Sequence, residues 1–226
     1  MPEKFRYFGV KYTSMNRKDA IKCLVTSGLA ISAKQSDAFT SESKIHFVSL
    51  GKAGSHVCAY IKEKGLKASY STISHYKYNE TSHIHFATPS QDNLTGMDGE
   101  HTAEIQNRVE LTSEIKALFN NNDTYILLSA LGGNTGTKLT VELASWLTSK
   151  NKNFHIISGL PFKLEAKRRT YAAQAVLNLK NYPNFYYFDN ETLRDVYGNI
   201  PIVKLVENSA NQYYQLAQNI VGKSYS

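Results

Sequence analysis

The sequence contains little of what marks a secreted or membrane-spanning protein. Only two of its 226 residues are cysteines, Cys23 and Cys58, and they do not have the spacing of a metal site. We expect both to stay as thiols in a reducing compartment. No apolar run approaches the ~20 residues that a membrane span needs, and the N-terminal segment lacks the apolar stretch of a secretory signal. These absences favour a cytoplasmic protein without a membrane span.

The charge of the chain does not identify a partner by itself. The formal net charge is +7, but the lysines and arginines are scattered, and the one tight cluster lies within residues 163–169. Such a run is typical of a solvated helix face. The sequence also lacks the aromatic and basic motif of RNA-binding sheets, so we expect no nucleic-acid partner.

The chain is predicted to consist of an N-terminal extension, residues 1–44, and one domain, residues 45–226. Short apolar runs in the domain alternate with segments of helical spacing. The predicted strands are 45–50, 66–74, 83–88, 124–131, 154–159 and 185–188, and the predicted helices are 57–65, 100–120, 137–149, 164–180 and 202–221. This alternation predicts an α/β fold, a three-layer Rossmann-like domain with a mostly parallel sheet. Ligands bind such sheets at the carboxyl ends of the strands.

The motif with the clearest chemistry is ALGGNTGTK (130–138), which follows an apolar strand and opens a helix. Gly132, Gly133 and Gly136 allow sharp turns and close approach of a ligand to the backbone N–H groups. The helix N-terminus adds partial positive charge, which makes phosphate the natural ligand. Thr135 and Thr137 can add hydroxyl donors. A tight strand-to-helix turn with no ligand explains a single loop of this kind equally well.

A second glycine-containing turn, SLGKAGSH (49–56), also joins a strand to a helix. Gly51 and Gly54 in this segment resemble a reduced dinucleotide-binding fingerprint, which is weak evidence when it stands alone. Two such turns in one sheet predict a phosphate chain held from two sides.

With these segments the chain resembles the GTPase domain of FtsZ and tubulin. GGNTGTK takes the place of the family's GGGTGTG phosphate loop, and SLGKAGSH that of its first glycine loop, with His56 where an asparagine usually reaches the base. GLPFKLEAKRR (159–169) is similar to the segment PFxFEGxxR. The resemblance implies that Glu165 contacts the ribose and that Arg169 contacts the nucleotide.

Two later segments extend the resemblance along the chain. FYYFDNETL (185–193) is similar to a family strand that places an asparagine, here Asn190, at the sugar and base. SANQYYQLAQNIV (209–221) resembles the central helix, with Asn211 and Gln212 in the places of its base-recognising Asn-Asp pair. The five segments occur in the family's order over roughly residues 45–221.

The sequence departs from the family pattern at several of these positions. Lys52, Ala53, Asn134 and Lys138 stand where glycines are usual, and Gln212 replaces an acidic residue that accepts from guanine. The segment with Thr95, Gly96 and Gly99 is a poor match to the loop that senses the γ-phosphate. The expectation is a weakened preference for guanine.

The resemblance implies GTP or GDP as ligand, with Mg²⁺ as an accompanying ion. The implied nucleotide-binding residues are Gly51, Lys52, Ala53, Gly54, His56, Gly132, Gly133, Asn134, Thr135, Gly136, Thr137, Glu165, Arg169, Asn190 and Asn211. The implied partners are the nucleotide and, through self-association or direct contact, an FtsZ/tubulin-like polymer. Family members hydrolyse GTP when the C-terminal half of the next subunit supplies acidic residues. Because this chain stops at the central helix, we expect little hydrolysis by the chain alone.

Two other functions remain open at the level of sequence. An interaction protein with the same fold and no ligand is favoured by the lost glycines, and Lys52 is able to occupy the phosphate space itself. An NAD-dependent enzyme needs an acidic residue ~20 positions after the first glycine loop. The strand at that position, KASYSTIS, contains none.

Overall fold

The computed structural model describes residues 45–75, 83–86, 109–121 and 123–224. The N-terminal extension and the segment with Thr95, Gly96 and Gly99 lie outside these described residues. The strands are β1 (Ile45–Leu50), β2 (Ser69–Ser74), β3 (His83–His85), β4 (Thr124–Ala130), β5 (Phe154–Leu160) and β6 (Phe185–Asp189). The helices are α1 (Gly51–Glu63), α2 (Ser113–Ala117), α3 (Asn134–Ser149), α4 (Ala166–Leu179), α5 (Asn190–Tyr197) and α6 (Ile202–Ser224).

The six strands form one sheet in the order β3-β2-β1-β4-β5-β6, and every described pair of neighbours is parallel. Strand β1 lies in the middle, between β2 and β4. The direction in which successive strands are added reverses between β1 and β4. In doubly wound sheets the carboxyl side of this reversal is the crevice where ligands bind.

Helices cover both faces of the sheet, as the continuous apolar strands require. On one face α2, α3 and α4 pack on a core that includes Leu127, Ile156 and Leu143. On the other face α1 and α6 pack on Phe47, Ile126 and their neighbours. The result is the predicted three-layer α/β domain, and the prediction of a mostly parallel sheet is confirmed.

Several element boundaries differ from the sequence prediction. Helix α1 begins at Gly51 rather than at residue 57, and α3 begins at Asn134 rather than at residue 137. Part of each glycine-containing segment therefore belongs to the first turn of its helix. Of the predicted helix 100–120, the described part contains only Ser113–Ala117. Helix α5 is not among the predicted helices, which pass from the strand 185–188 directly to the helix 202–221. Within the described ranges, no helix has the length and apolar character that crossing a membrane requires.

One buried tyrosine connects α6 to the middle of the sheet. The Tyr213 hydroxyl donates to the carbonyl of Ser129 on β4 at 2.6 Å and accepts from the N–H of Gly159 on β5 at 2.6 Å. A Cβ on Gly159 would lie 2.8 Å from that hydroxyl, so the close approach needs glycine. Burial raises the pKa of Tyr213 far above its ordinary value, which keeps the hydroxyl protonated.

We expect Tyr213→Phe to lower the free energy of unfolding by about 1–3 kcal/mol, because two buried backbone groups lose their shared partner. The control is Tyr214→Phe, which removes a hydroxyl whose one hydrogen bond among the described residues is to the exposed Gln218 side chain, with an expected cost under about 0.5 kcal/mol. Chemical denaturation measures both. Equal stabilities of the two variants would contradict this account of α6.

Candidate functional site

The loops after β1 and β4 touch each other at the carboxyl edge of the sheet. Gly51 has φ +73°, and a Cβ there would lie 3.0 Å from the backbone nitrogen of Gly136. A Cβ on Gly136 would in turn lie 3.0 Å from the carbonyl oxygen of Leu50. Glycine at both positions therefore lets the first turns of α1 and α3 lie side by side at the point where the strand order reverses.

Gly132 turns the chain between β4 and α3. Its φ is +97°, and a Cβ would lie 2.6 Å from Pro161 Cγ and 2.8 Å from the Arg168 carbonyl oxygen. The Gly132 N–H donates to Thr137 Oγ1 at 2.9 Å. Thr137 is fully buried, so it shapes this loop from the inside. The β4 loop is thereby packed between the β1 loop and the β5 loop.

Gly133 and Gly54 differ in what surrounds them. Gly133 is extended, with φ −93° and ψ 152°, and an added Cβ would have no neighbour within 4 Å. The expectation that this glycine is needed for the turn is therefore wrong, and its absent side chain leaves open space instead. A Cβ on Gly54 would lie 2.5 Å from the Leu128 carbonyl oxygen, so Gly54 serves the packing of α1 on the sheet.

The N-termini of α1 and α3 have neither a side-chain cap nor an acidic residue in the first turn. The first N–H groups of a helix have no partner inside the helix and are normally satisfied by caps, water or ligands. By comparison, Thr112 caps α2 and Asp189 caps α5, and each of these helices has a glutamate in its first turn. Helix α4 likewise has no side-chain cap and no acidic residue in its first turn. What distinguishes α1 and α3 is that their uncapped N-termini adjoin each other.

On the far side of the edge, Arg169 joins the β5 loop to the end of β6. Its guanidinium donates to both carboxylate oxygens of Asp189 at 2.8 and 2.7 Å and to the Pro161 carbonyl at 2.7 Å. Burial alone would raise the pKa of Asp189, but the hydrogen bonds from Arg169 and from the Glu191 N–H hold it below its usual value. The hydrogen bond with Asp189 raises the pKa of Arg169.

The other predicted side chain of this segment, Glu165, is engaged within its own loop. Its carboxylate accepts from the Phe162 N–H at 3.1 Å and from Arg168 Nη1 at 2.6 Å. The buried carboxylate of Glu191 accepts from the Lys163 N–H at 2.8 Å, which connects the loop to α5. Contact of Glu165 and Arg169 with a nucleotide stays a prediction, and the structure gives both a role in fixing the loops.

The three predicted base-side amides lie on α5 and α6. Asn190 is the first residue of α5, and its Oδ1 is buried without a hydrogen-bond partner among the described residues. Asn211 and Gln212 are half-buried. They directly precede Tyr213, whose hydroxyl contacts the carboxyl ends of β4 and β5, so this part of α6 passes the same edge of the sheet.

The remaining predicted residues line the two loops. Lys52, Ala53 and His56 are exposed on α1, Asn134 is half-buried, and Thr135 is buried. Thr135 Oγ1 lies 3.2 Å from Nδ1 of His75. Sequence reasoning missed His75, although its position directly after β2 places it at this edge.

An acidic metal site is not part of this arrangement. The segments 49–56 and 130–138 contain no Asp or Glu, and the described residues contain no cluster of three metal-ligating side chains. Mg²⁺ in nucleotide sites is usually held by one or two carboxylates together with the phosphates. The loops themselves do not fit a protein-held Mg²⁺.

The solved structures most useful for comparison contain the same arrangement of strands and helices. The FtsZ dimer of M. jannaschii, described as empty, matches with a TM-score of 0.65 and 20% identity over 92% of this chain and 59% of that chain. The fold is that of the FtsZ/tubulin nucleotide-binding domain.

Two further FtsZ-type structures agree with this match. CetZ1 of Haloferax volcanii, a GDP-bound monomer, has a TM-score of 0.56 and 18% identity over 76% of this chain and 58% of its own. The TubZ protofilament of bacteriophage PhiKZ has a TM-score of 0.52 and 18% identity over 77% of this chain and 56% of its own. This chain therefore spans less than two thirds of each of them.

The comparisons by sequence find nothing: no family model and no curated protein matches the chain. The structural matches, at identities of 20% and below, establish the FtsZ-type fold and show nothing about activity. Function has to be argued from the residues of the site.

The two neighbouring glycines of the β4 loop give a test of this geometry. We expect Gly132→Ala to lower the free energy of unfolding by about 1–3 kcal/mol or more, because a side chain is strained at its positive φ and meets Pro161. Gly133→Ala should change it by less than about 1 kcal/mol, since its backbone is accessible to alanine. Thermal and denaturant unfolding of both variants measures the difference, and equal losses would contradict the loop geometry.

Proposed function

We propose that this chain binds a guanine nucleotide at the carboxyl edge of the sheet, with the phosphates against the β1 and β4 loops. The observation that carries the proposal is the pair of adjoining, uncapped helix N-termini. Their N–H groups and dipoles favour a negatively charged ligand. Phosphate also fits the absence of acidic residues from both loops, because a carboxylate there would repel it.

Two features of the edge, the space beside Gly133 and the Oδ1 atom of Asn190, fit a nucleotide that extends from β4 toward β6. The missing side chain of Gly133 leaves space above the loop where a phosphate approaches the backbone. Asn190 Oδ1 is buried and without a partner among the described residues, and a buried acceptor of this kind is costly to leave unpaired. A sugar hydroxyl or a base N–H would satisfy it.

The choice of guanine is supported by the amides and by the fold. Asn190, Asn211 and Gln212 offer carbonyl oxygens that can accept from N–H donors such as those at guanine N1 and N2. The related fold of CetZ1 holds GDP in its solved structure. A carboxylate would accept more strongly than an amide, so we expect guanine selectivity below that of a site with an acidic residue.

The proposed role is binding rather than turnover by these residues alone. Hydrolysis needs a group that orients and activates the attacking water, and neither phosphate-side loop contains an acidic side chain. Such a group would have to come from outside these loops. Since related folds are solved as a dimer and as a protofilament, we propose a further copy or a polymerising relative as its source.

A second candidate is an interaction protein that kept the fold without the ligand. Lys52 and Ala53 favour it, because they stand where glycines are usual in the FtsZ/tubulin loop. Lys52 is exposed in the structure, a position from which it can contact a phosphate. Titration with nucleotide separates the two candidates directly.

We expect saturating GTP or GDP to raise the Tm and Gly133→Ala to abolish this rise. At about 100 times Kd a ligand contributes about 2.7 kcal/mol, which corresponds to about 5–11 °C for a chain of this size. Gly133→Ala leaves the fold intact but places a methyl group where the phosphate approaches. Differential scanning fluorimetry with GTP, GDP, ATP and NAD measures both effect and selectivity.

The matched control is Gly222→Ala on α6, where an added Cβ also has no neighbour within 4 Å. This variant should keep the full nucleotide-dependent rise in Tm. An unchanged Tm of the wild-type chain in millimolar guanine nucleotide, with and without Mg²⁺, would favour the interaction protein instead.

A further inference from the structure

Three side chains from three elements meet on the β2 side of the glycine loops. His75 follows β2, Lys52 lies in the first turn of α1, and Thr135 lies in the first turn of α3. His75 Nδ1 is 3.2 Å from Thr135 Oγ1, and the positive charge of Lys52 acts on His75. We call His75, Lys52 and Thr135 the β2-side cluster.

The β2-side cluster lies at the end of the edge where the phosphate chain of the proposed nucleotide would end. The proposed base-side amides follow β6 or lie on α6, and the glycine loops follow β4 and β1. His75 lies one strand further, beyond β1, and neighbouring strands are about 4.8 Å apart. A nucleotide laid along the edge with its base on the β6 side therefore has its outermost phosphate nearest to the cluster.

We propose that His75 binds the outermost phosphate of the nucleotide and that its protonation couples nucleotide affinity to pH. This inference rests on the proposed function. His75 Nδ1 orients the Thr135 hydroxyl, and the ring adds a positive charge when it is protonated. The gain in affinity is larger for a nucleoside triphosphate than for a diphosphate, because the β2-side cluster lies furthest from the base.

The electrostatics of the ligand-free chain agree with this geometry. Burial, then the charges of His85 on β3 and Lys52 on α1, lower the pKa of His75. From α3 the ring meets the uncharged hydroxyl of Thr135. Burial and the neighbouring charges therefore disfavour the protonated ring before nucleotide binds. A phosphate beside it reverses the local field and favours the charged ring.

The sign of the pH effect follows from linkage. Because the bound state holds its proton to a higher pH than the free state, binding takes up a proton as the pH falls between the two pKa values. Affinity therefore rises as the pH falls and becomes constant below the pKa of the free chain. A rise of the His75 pKa by about one unit on binding corresponds to about tenfold in affinity.

The test is a histidine NMR titration of the whole chain, free, with GDP and with a non-hydrolysable GTP analogue. We expect the pKa of His75 to rise with GDP and to rise further with the analogue. The pKa of His155, also lowered by burial but located near the amino end of β5, should not move. If the chain binds nucleotide and the pKa of His75 does not change, this inference is overturned and the proposed function still stands.

Affinities of variants give a second measurement that does not depend on assigning the resonance. At pH 6 wild type and His155→Gln should bind the GTP analogue several-fold more tightly than His75→Gln does, approaching about tenfold only below the pKa of the free chain, with a smaller difference for GDP. The terminal phosphate titrates in the same range, but its contribution cancels in this comparison. Equal pH dependence of His75→Gln and wild type overturns the inference, whereas no binding at any pH overturns the proposed function and this inference with it.

Discussion

The contact between Gly51 and Gly136 is the constraint on which the site depends. The two loops come together because β1 and β4 are neighbours in the sheet although they are far apart in sequence. At a separation of 3.0 Å from an added Cβ to backbone, only glycine lets both helices start at this point. The consequence is two helix N-termini that adjoin at the carboxyl edge of the sheet.

The other contacts of the edge hold the surrounding loops around this pair. Gly132 packs the β4 loop against Pro161, and Arg169 fastens the β5 loop to Asp189 at the end of β6. Tyr213 then joins α6 to β4 and β5. A larger residue in place of Gly132 would clash, a neutral residue in place of Arg169 would lose the ion pair with Asp189, and Tyr213 needs its hydroxyl. These contacts fix the loops of the edge relative to one another.

Much of the fold was predictable from sequence, because strand and helix periods alternate clearly after residue 45. The glycine turn after β4 was predicted as well, but the sequence did not distinguish Gly132, which has a positive φ, from Gly133, which does not. The missed features are those that depend on tertiary contact. The Tyr213 bridge joins residues separated by 54 and 84 positions, and His75 enters the site only once β2 is known to lie beside β1. The eight residues of α5 make only about two helical turns, which is shorter than the window of 11–18 residues in which periodicity identifies a helix.

The most direct measurement of the central claim is a structure of this chain determined with GDP bound. We expect the diphosphate between Gly51 and the Gly133–Thr135 segment, with the guanine on the side of Asn190 and Asn211. A chain that binds GDP at another surface, or that crystallises in millimolar GDP with a side chain such as Lys52 filling the phosphate space, would contradict it.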